Sequence, residues 1–152
     1  MFISSTGGHL SELLQLQPLF ELYDYSVITE NTKSNKSLKE KFKGRMYYLP
    51  YGTKSHLLKY LFIFTWIILK SLYLFIKIRP DIVVTTGTHT AVPMCYFAKL
   101  FRKKVIFIET FANRKTPTAS GKLVYPIADV FIVQWEEMLE QYPNAVYGGW
   151  IY

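Results

Sequence analysis

The sequence has little cysteine and no basic residues near its carboxyl end. Cys95 is the single cysteine of 152 residues. It excludes an internal disulfide and fits a reducing compartment, with the thiol buried as a small apolar group. No Lys or Arg follows Lys122, although the formal charge is +7. The basic residues concentrate at 33–45 and 99–104, and a basic face indicates phosphate-bearing partners; for 33–45, a merely solvated loop is an equal alternative.

Motifs of several familiar ligand sites are also missing. The sequence contains no Walker phosphate loop, no GxGxxG dinucleotide fingerprint and no GxSxG nucleophile elbow. It has no zinc-ligand spacing and no aromatic box of RNA-binding domains. We therefore expect no metal, no cofactor and no nucleic acid as partner. No signal peptide is expected either, since the first predicted strand begins at Met1.

Short apolar runs alternate with longer amphipathic ones along the chain. Several of the short runs are continuously apolar and β-branched, which is typical of strands buried on both faces of a parallel sheet. The pattern predicts one domain over 1–152, an open, doubly wound, Rossmann-like α/β fold. The predicted strands are 1–5, 25–29, 46–50, 81–86, 104–109 and 129–134, and the predicted helices are 8–20, 56–78, 91–101, 121–127 and 135–141.

Two glycine turns follow predicted strands and precede predicted helices. In such folds ligands bind beyond the carboxyl ends of the strands, where a helix amino terminus favours phosphate. His9, in the first helical turn, could donate to phosphate or take a proton near neutral pH. A turn that merely begins a helix remains the alternative for each. The predicted acceptor- or phosphate-binding residues are Ser5, Thr6, Gly7, Gly8, Gly87, Thr88, His89 and Thr90.

The segment HLLKYLFIFTWIILKSLYLFIKIRP, at 56–80, has more apolar surface than a soluble domain needs. At about 100° per residue its three lysines fall within about 20° of one another, and the remaining arc is apolar. This pattern favours a helix in the membrane interface, with lysines reaching phosphates and aromatic rings at headgroup level. A plain core helix and a transmembrane span stay open as alternatives. The predicted membrane residues are Lys59, Phe62, Trp66, Leu69, Lys70, Tyr73 and Lys77.

Three stretches together resemble a known family: STGGHLSELLQL, TTGTHTAVPMCYFAKL, and the long run from KKVIFIETFANRKTPTASGKLVYPIADVFIVQW to the end. They are similar, in order, to bacterial polysaccharide-biosynthesis homologues of the eukaryotic asparagine-linked glycosylation protein fourteen. The glycine turns also look like those of the muramyl-pentapeptide N-acetylglucosamine transferase. The resemblance implies the amino-terminal half of a GT-B glycosyltransferase, made as a separate polypeptide for capsule or exopolysaccharide synthesis.

The resemblance further implies two partners and a location. A separate subunit supplies the carboxyl-terminal half and binds the nucleotide-sugar donor, while this chain binds a polyprenyl-diphosphate-linked sugar acceptor and anchors the pair. The expected location is the cytoplasmic face of the plasma membrane. Because no transmembrane segment precedes the first strand, we expect a peripheral or monotopic attachment. A self-sufficient homodimeric transferase and a non-catalytic membrane scaffold remain alternative functions.

Site residues follow from the same resemblance. His9 is the first candidate for activating the acceptor and Glu109, at a strand end, is the second; capping of the following loop is an equal alternative for Glu109. Asn113 and Arg114 could contact phosphate, with simple solvent exposure as the alternative.

The aromatic carboxyl end is the expected interface with the donor-binding subunit, because Tyr and Trp are enriched in interface cores. The alternative is that it folds back onto the domain's own core. Asp129, Glu136, Glu137 and Glu140 have no basic neighbours in sequence, so we expect a partner to supply the complementary charge. The predicted interface residues are Tyr147, Trp150, Ile151 and Tyr152.

Overall fold

The computed structural model describes residues 1–52 and 57–151, except for the side chains of 57–60. Seven parallel strands form one sheet in the order β3-β2-β1-β4-β5-β6-β7. This order reverses direction between β1 and β4, as in a doubly wound fold, and it confirms the predicted fold class. The strands are β1 (Phe2–Ile3), β2 (Val27–Glu30), β3 (Met46–Leu49), β4 (Ile82–Thr85), β5 (Lys104–Ile108), β6 (Val130–Val133) and β7 (Val146–Tyr147).

Helices fill the connections between the strands. The predicted helix 8–20 is divided at Leu16, because Pro18 in the second position of α2 has no N–H for a continuous helix. The segment 135–141 is a 3₁₀-helix, Glu136–Glu140. The α-helices are α1 (Gly8–Gln15), α2 (Gln17–Phe20), α3 (Leu38–Lys41), α4 (Leu57–Ile78), α5 (Val92–Leu100) and α6 (Ala119–Val124), and a 3₁₀ turn covers Lys33–Asn35.

Apolar side chains cover both faces of the sheet. Ile3 and Ile28 belong to the cluster that includes residues of α4 and α5, whereas their strand neighbours Phe2 and Val27 belong to the cluster around α1 and α2. Successive residues of a strand point to opposite faces, so continuously apolar strands supply two cores. This explains why these strands show no polar alternation.

The long helix α4 buries only one of its faces. Ile67, Ser71 and Leu74 are almost fully buried on that face. The 18 residues Leu61–Ile78 have a mean hydropathy of 1.9, and only 22% of them are buried, so this segment is long and apolar enough to cross a membrane. The large apolar side chains exposed on the other face, here called the apolar arc, are Leu61, Phe62, Trp66, Ile68, Leu69, Tyr73 and Ile76.

The described lysines of α4 lie at one border of the apolar arc. Lys70 is half-buried, and the exposed Lys77 places its Nζ 5.3 Å from the ring centre of Tyr47 in β3. The side chain of Lys59 falls outside the described residues, as does all of His56 at the start of the predicted segment. Placement of α4 in the membrane interface stays a prediction.

Candidate functional site

A cavity of about 440 Å³ opens at the carboxyl edge of the sheet. Its lining comes from the segments at or after the ends of β1 through β5, which is where a doubly wound fold binds ligands. Ser5, Thr88 and His89 were predicted from the two glycine turns, and the structure brings them together here. The residues of this edge cavity are Ser5, Glu30, Tyr51, Gly52, Thr88, His89, Thr118, Ala119 and Ser120.

Glu30, the last residue of β2, connects the two glycine turns. Its Oε2 accepts a hydrogen bond from the backbone N–H of Thr6 at 3.1 Å, and its Oε1 accepts one from the Thr90 hydroxyl at 2.7 Å. Asn35 strengthens the connection, because its Nδ2 donates to Thr6 Oγ1 and to the Glu30 carbonyl oxygen. Sequence reasoning missed Glu30. An acidic residue directly after the predicted strand 25–29 is the signal that could have found it.

His9 is held at the start of α1 by the turn after β4. Its Nδ1 lies 2.8 Å from the Thr86 carbonyl oxygen, and the Thr86 hydroxyl donates to the His9 carbonyl oxygen at 2.7 Å. A carbonyl oxygen can only accept, so Nδ1 carries the hydrogen and the neutral ring keeps its lone pair on Nε2. The side chain is 25% exposed. This tautomer suits a general base acting through Nε2.

Glu12 is a second carboxylate near His9 that sequence reasoning missed. Its Oε2 lies 3.7 Å from His9 Nδ1. Its Oε1 accepts hydrogen bonds from the Thr110 hydroxyl at 2.7 Å and from the Phe111 backbone N–H at 3.2 Å. Glu12 therefore fastens α1 to the loop after β5.

The backbone of the first turn leaves space in front of α1. Gly7 has φ +77°, a conformation that favours glycine, and its carbonyl oxygen accepts from Leu10 N and Ser11 N. A Cβ added at Gly8 would meet nothing within 4 Å. The first N–H groups of a helix have no acceptor within it and favour an anion, and phosphate binding at this turn stays a prediction.

The second turn passes close to His9 and Ser120. Gly87 has φ +93°, and a Cβ there would lie 3.5 Å from Ser120 Oγ and 3.6 Å from the His9 ring. His9 therefore borders the same edge of the sheet as the edge cavity, across Gly87 from Ser120.

Glu109, the second predicted catalytic residue, is buried among donors of its own loop. Thr110 N, Thr118 N, the Thr118 hydroxyl and the Tyr142 hydroxyl all donate to its carboxylate. Burial, followed by the charge of Glu109, raises the pKa of Tyr142. These contacts agree with the loop-capping alternative for Glu109. Its catalytic role stays a prediction.

Asn113 and Arg114 do not line the edge cavity. Asn113 Nδ2 donates to the Thr116 carbonyl oxygen, and Arg114 Nε donates to Glu137 at 2.9 Å while its guanidinium lies 5.2 Å from the Trp135 ring centre. The hydrogen bond from Arg114 lowers the pKa of Glu137. Contact of Asn113 or Arg114 with phosphate stays a prediction.

We expected the acidic groups near the carboxyl end to pair with basic groups of a partner subunit. For two of them the structure corrects this expectation. Arg114 pairs with Glu137, and both Lys99 and Lys104 pair with Asp129. Burial alone would raise the pKa of Asp129, but the Val105 N–H and the two lysines outweigh it and lower that pKa to about 2. These counter-charges are distant in sequence, so sequence neighbours did not reveal them.

The carboxyl end is partly docked on the domain. The Ile151 N–H donates to Gln134 Oε1, and Ile151 packs against the apolar cluster around α1. The Trp150 ring stacks on Phe111 at 5.3 Å between centres, yet Trp150 stays 76% exposed. Tyr147 is also exposed, while Tyr152 lies outside the described residues. The tail therefore shows an aromatic surface that its own domain does not cover.

The sequence matches one protein family along almost its whole length. The family model described as "Oligosaccharide biosynthesis protein Alg14 like" covers residues 1–151. The chain is 30% identical to the UDP-N-acetylglucosamine transferase subunit ALG14 of Mus musculus, over 98% of this chain and 81% of the relative. It is 39% identical to the Homo sapiens protein of the same name over 48% of this chain and 37% of the relative.

Solved structures share the fold at low sequence identity. The MurG protein of Acinetobacter baumannii superposes with a TM-score of 0.69 at 16% identity, over 90% of this chain and 42% of that one. The UDP-GlcNAc 2-epimerase of Methanocaldococcus jannaschii gives 0.70 at 18% identity, over 94% and 41%. The chain thus spans about two fifths of these proteins and has the fold of about half of a GT-B enzyme. By the match over residues 1–151 and the similarity to the mouse protein, this chain belongs to the Alg14-like family of oligosaccharide biosynthesis proteins.

Proposed function

We propose that this chain is the acceptor-side, membrane-anchoring subunit of a two-part glycosyltransferase, completed by a separate donor-binding subunit. The observation that carries the proposal is the edge cavity, built from both glycine turns on a domain with the fold of about half of a GT-B enzyme. The relatives are named as subunits of a UDP-N-acetylglucosamine transferase, which supports both the need for a partner and a nucleotide-sugar donor.

The proposed reaction transfers a sugar from a nucleotide donor to a lipid-linked acceptor. An acceptor hydroxyl attacks the anomeric carbon of the donor sugar, and the bond from that carbon to the nucleoside diphosphate breaks. His9 Nε2 takes the hydroxyl proton, because Nδ1 is already committed to the Thr86 carbonyl oxygen. The diphosphate of the acceptor lies in the open space before α1, where Gly8 leaves room and helix N–H groups favour an anion.

The apolar arc of α4 supplies the membrane attachment. Tyr51 and Gly52 line the edge cavity, and α4 follows them from Leu57, so cavity and membrane helix are close in sequence. A polyprenyl-linked acceptor keeps its lipid in the bilayer, and a helix in the interface brings the cavity to its diphosphate. We place the subunit on the cytoplasmic face of the plasma membrane.

The partner subunit docks at the carboxyl tail. Trp150 presents exposed aromatic surface beside Phe111, a residue of the loop after β5, and the Tyr147 side chain is also exposed. Large aromatic side chains commonly anchor interfaces, and a second domain there faces the same sheet edge as the edge cavity. The two subunits thereby enclose a cleft between acceptor and donor.

Co-expression tests the proposal. The chain is produced with the neighbouring glycosyltransferase reading frame and, separately, alone; each membrane fraction receives a lipid-linked sugar and radiolabelled nucleotide sugars. We expect sugar transfer when both subunits are present and no transfer with this chain alone. Turnover by this chain alone would favour the homodimeric alternative, and full activity of a complex carrying His9→Ala would favour the scaffold.

A further inference from the structure

Glu30 is a buried acidic residue to which the proposed reaction assigns no role. The residue is 2% exposed and lines the edge cavity. Acidic side chains are rarely this buried unless they are paired. Within the described ranges, 1–52 and 57–151, no Lys or Arg forms an ion pair with it. A charge kept in such a place requires hydrogen-bond donors.

The protein supplies Glu30 with neutral donors. These are the Thr6 N–H on Oε2 and the Thr90 hydroxyl on Oε1. A carboxylate has about four lone-pair sites, so it can accept further hydrogen bonds beside these two. Glu30 is also one of the residues that line the edge cavity.

We propose that Glu30 accepts a hydrogen bond from a ring hydroxyl of the acceptor sugar and thereby determines which sugar the site accepts. The inference rests on the proposed function. A hydroxyl is a neutral donor of the same kind as Thr90, whereas phosphate oxygens carry negative charge that the carboxylate repels. A buried group that pairs with a substrate hydroxyl also discriminates strongly against analogues lacking that hydroxyl, since it is then left unpaired.

Glu30 also fastens the two glycine turns, and an experiment has to separate this role from sugar binding. Glu30→Gln keeps the shape: Thr6 N can still donate to the amide oxygen, and the Thr90 hydroxyl can turn to accept from the amide nitrogen. Asn35→Ala is the matched control, because it removes the hydrogen bonds that join the first turn to β2 but leaves the Glu30 carboxylate and its two donors in place.

The test measures binding to the full chain in detergent by titration calorimetry. The probes are short-chain prenyl diphosphate monosaccharides of glucose, galactose and N-acetylglucosamine, followed by the monodeoxy analogues of the tightest binder. We expect one monodeoxy analogue to bind wild type roughly 10–100-fold more weakly. Glu30→Gln should lose a similar factor for the parent sugar and show little further loss for that analogue, since the two changes remove one hydrogen bond. Asn35→Ala should retain the discrimination.

Three results overturn the inference: unchanged affinity in Glu30→Gln, equal binding of all monodeoxy analogues to wild type, or no binding of any monosaccharide probe. Equal losses in Glu30→Gln and Asn35→Ala, without coupling to a sugar hydroxyl, would assign Glu30 to loop positioning alone and would also overturn the inference. The assembled enzyme gives a second readout, because only the KM for the acceptor should rise in Glu30→Gln. If the probe binds in a Glu30-dependent way but no complex shows turnover, the proposed function alone is refuted. If the complex turns over and Glu30→Gln leaves the KM for the acceptor unchanged, this inference alone is refuted.

Discussion

His9 and Thr86, 77 positions apart in sequence, hold each other by two hydrogen bonds. The imidazole Nδ1 meets the Thr86 carbonyl oxygen at 2.8 Å, and the Thr86 hydroxyl returns a bond to the His9 carbonyl oxygen at 2.7 Å. One bond fixes the tautomer and the other fixes the start of α1 against the turn after β4. A base prepared in this way has Nε2 free to take a proton in the neutral ring.

The first prediction concerns this base. His9→Ala should lower the kcat of the assembled enzyme by about 10²–10⁴-fold, the usual contribution of general acid–base catalysis. His9→Asn is the matched variant, because its amide can still donate to the Thr86 carbonyl oxygen but has no group at the place of Nε2. Both should fold normally by circular dichroism and lose similar activity. Full activity of His9→Asn would limit His9 to a structural role.

The apolar arc of α4 gives the second prediction. Changing Phe62, Trp66 and Leu69 to Ser should move much of the protein from the membrane to the soluble fraction, because these side chains are exposed and their burial in lipid drives attachment. Changing the exposed Leu22 and Tyr23 to Ser is the control and should leave fractionation unchanged. Equal membrane retention of the triple variant would exclude this arc as the main anchor.

The third prediction concerns the tail. Deleting residues 149–152 and, separately, changing Trp150 to Ala should both reduce co-purification of the donor-binding subunit. An interface Trp commonly contributes about 2 kcal/mol or more, roughly 30-fold in affinity. Trp150→Ala keeps the Ile151 contacts to the domain, and Tyr23→Ala serves as the control on another exposed aromatic. Undiminished complex formation by a folded deletion variant would remove the tail from the interface.

The fourth prediction tests the loop held by Glu109. A Cβ at Gly121 would lie 2.5 Å from the Tyr142 hydroxyl oxygen and 2.9 Å from Thr118 Oγ1. Both of these hydroxyl groups donate hydrogen bonds to the Glu109 carboxylate. Gly121→Ala should therefore lower the free energy of unfolding by about 1–3 kcal/mol in urea denaturation. Gly8→Ala, whose Cβ meets open space, should leave it nearly unchanged. A Gly121→Ala protein as stable as wild type would contradict this account.

The fifth prediction follows from the pKa of Asp129, which is lowered from 3.8 to about 2. A lowered pKa means that the charged form stabilises the fold, so the contribution is present above pH 4 and is lost as the pH falls from about 4 to 2. Asp129→Asn should cost about 1–2 kcal/mol at pH 7, allowing for solvent screening, with the difference from wild type shrinking below pH 4. Asp24→Asn, at an ion pair exposed to solvent, should change stability little at any pH. A pH-independent difference for Asp129→Asn would contradict the assignment.

The sequence alone determined the fold class and the edge of the sheet at which the two glycine turns meet. Apolar β-branched runs predict strands buried on both faces, and glycine turns after β1 and β4 meet at one edge because all strands of a parallel sheet point the same way. The excess apolar surface of α4 was likewise visible from periodicity, since an arc wider than a core-facing stripe needs a second apolar environment.

Only the tertiary structure decided which polar groups meet. Glu30 contacts Thr90 across 60 positions of sequence, and the Thr110 hydroxyl reaches Glu12 across 98. Neither pairing leaves a local pattern, because a hydrogen bond depends on where separate strands end in space rather than on spacing along the chain. The pairing of Asp129 with Lys99 and Lys104 has the same origin: sequence shows the signs of charges, and folding decides which of them lie within hydrogen-bond distance.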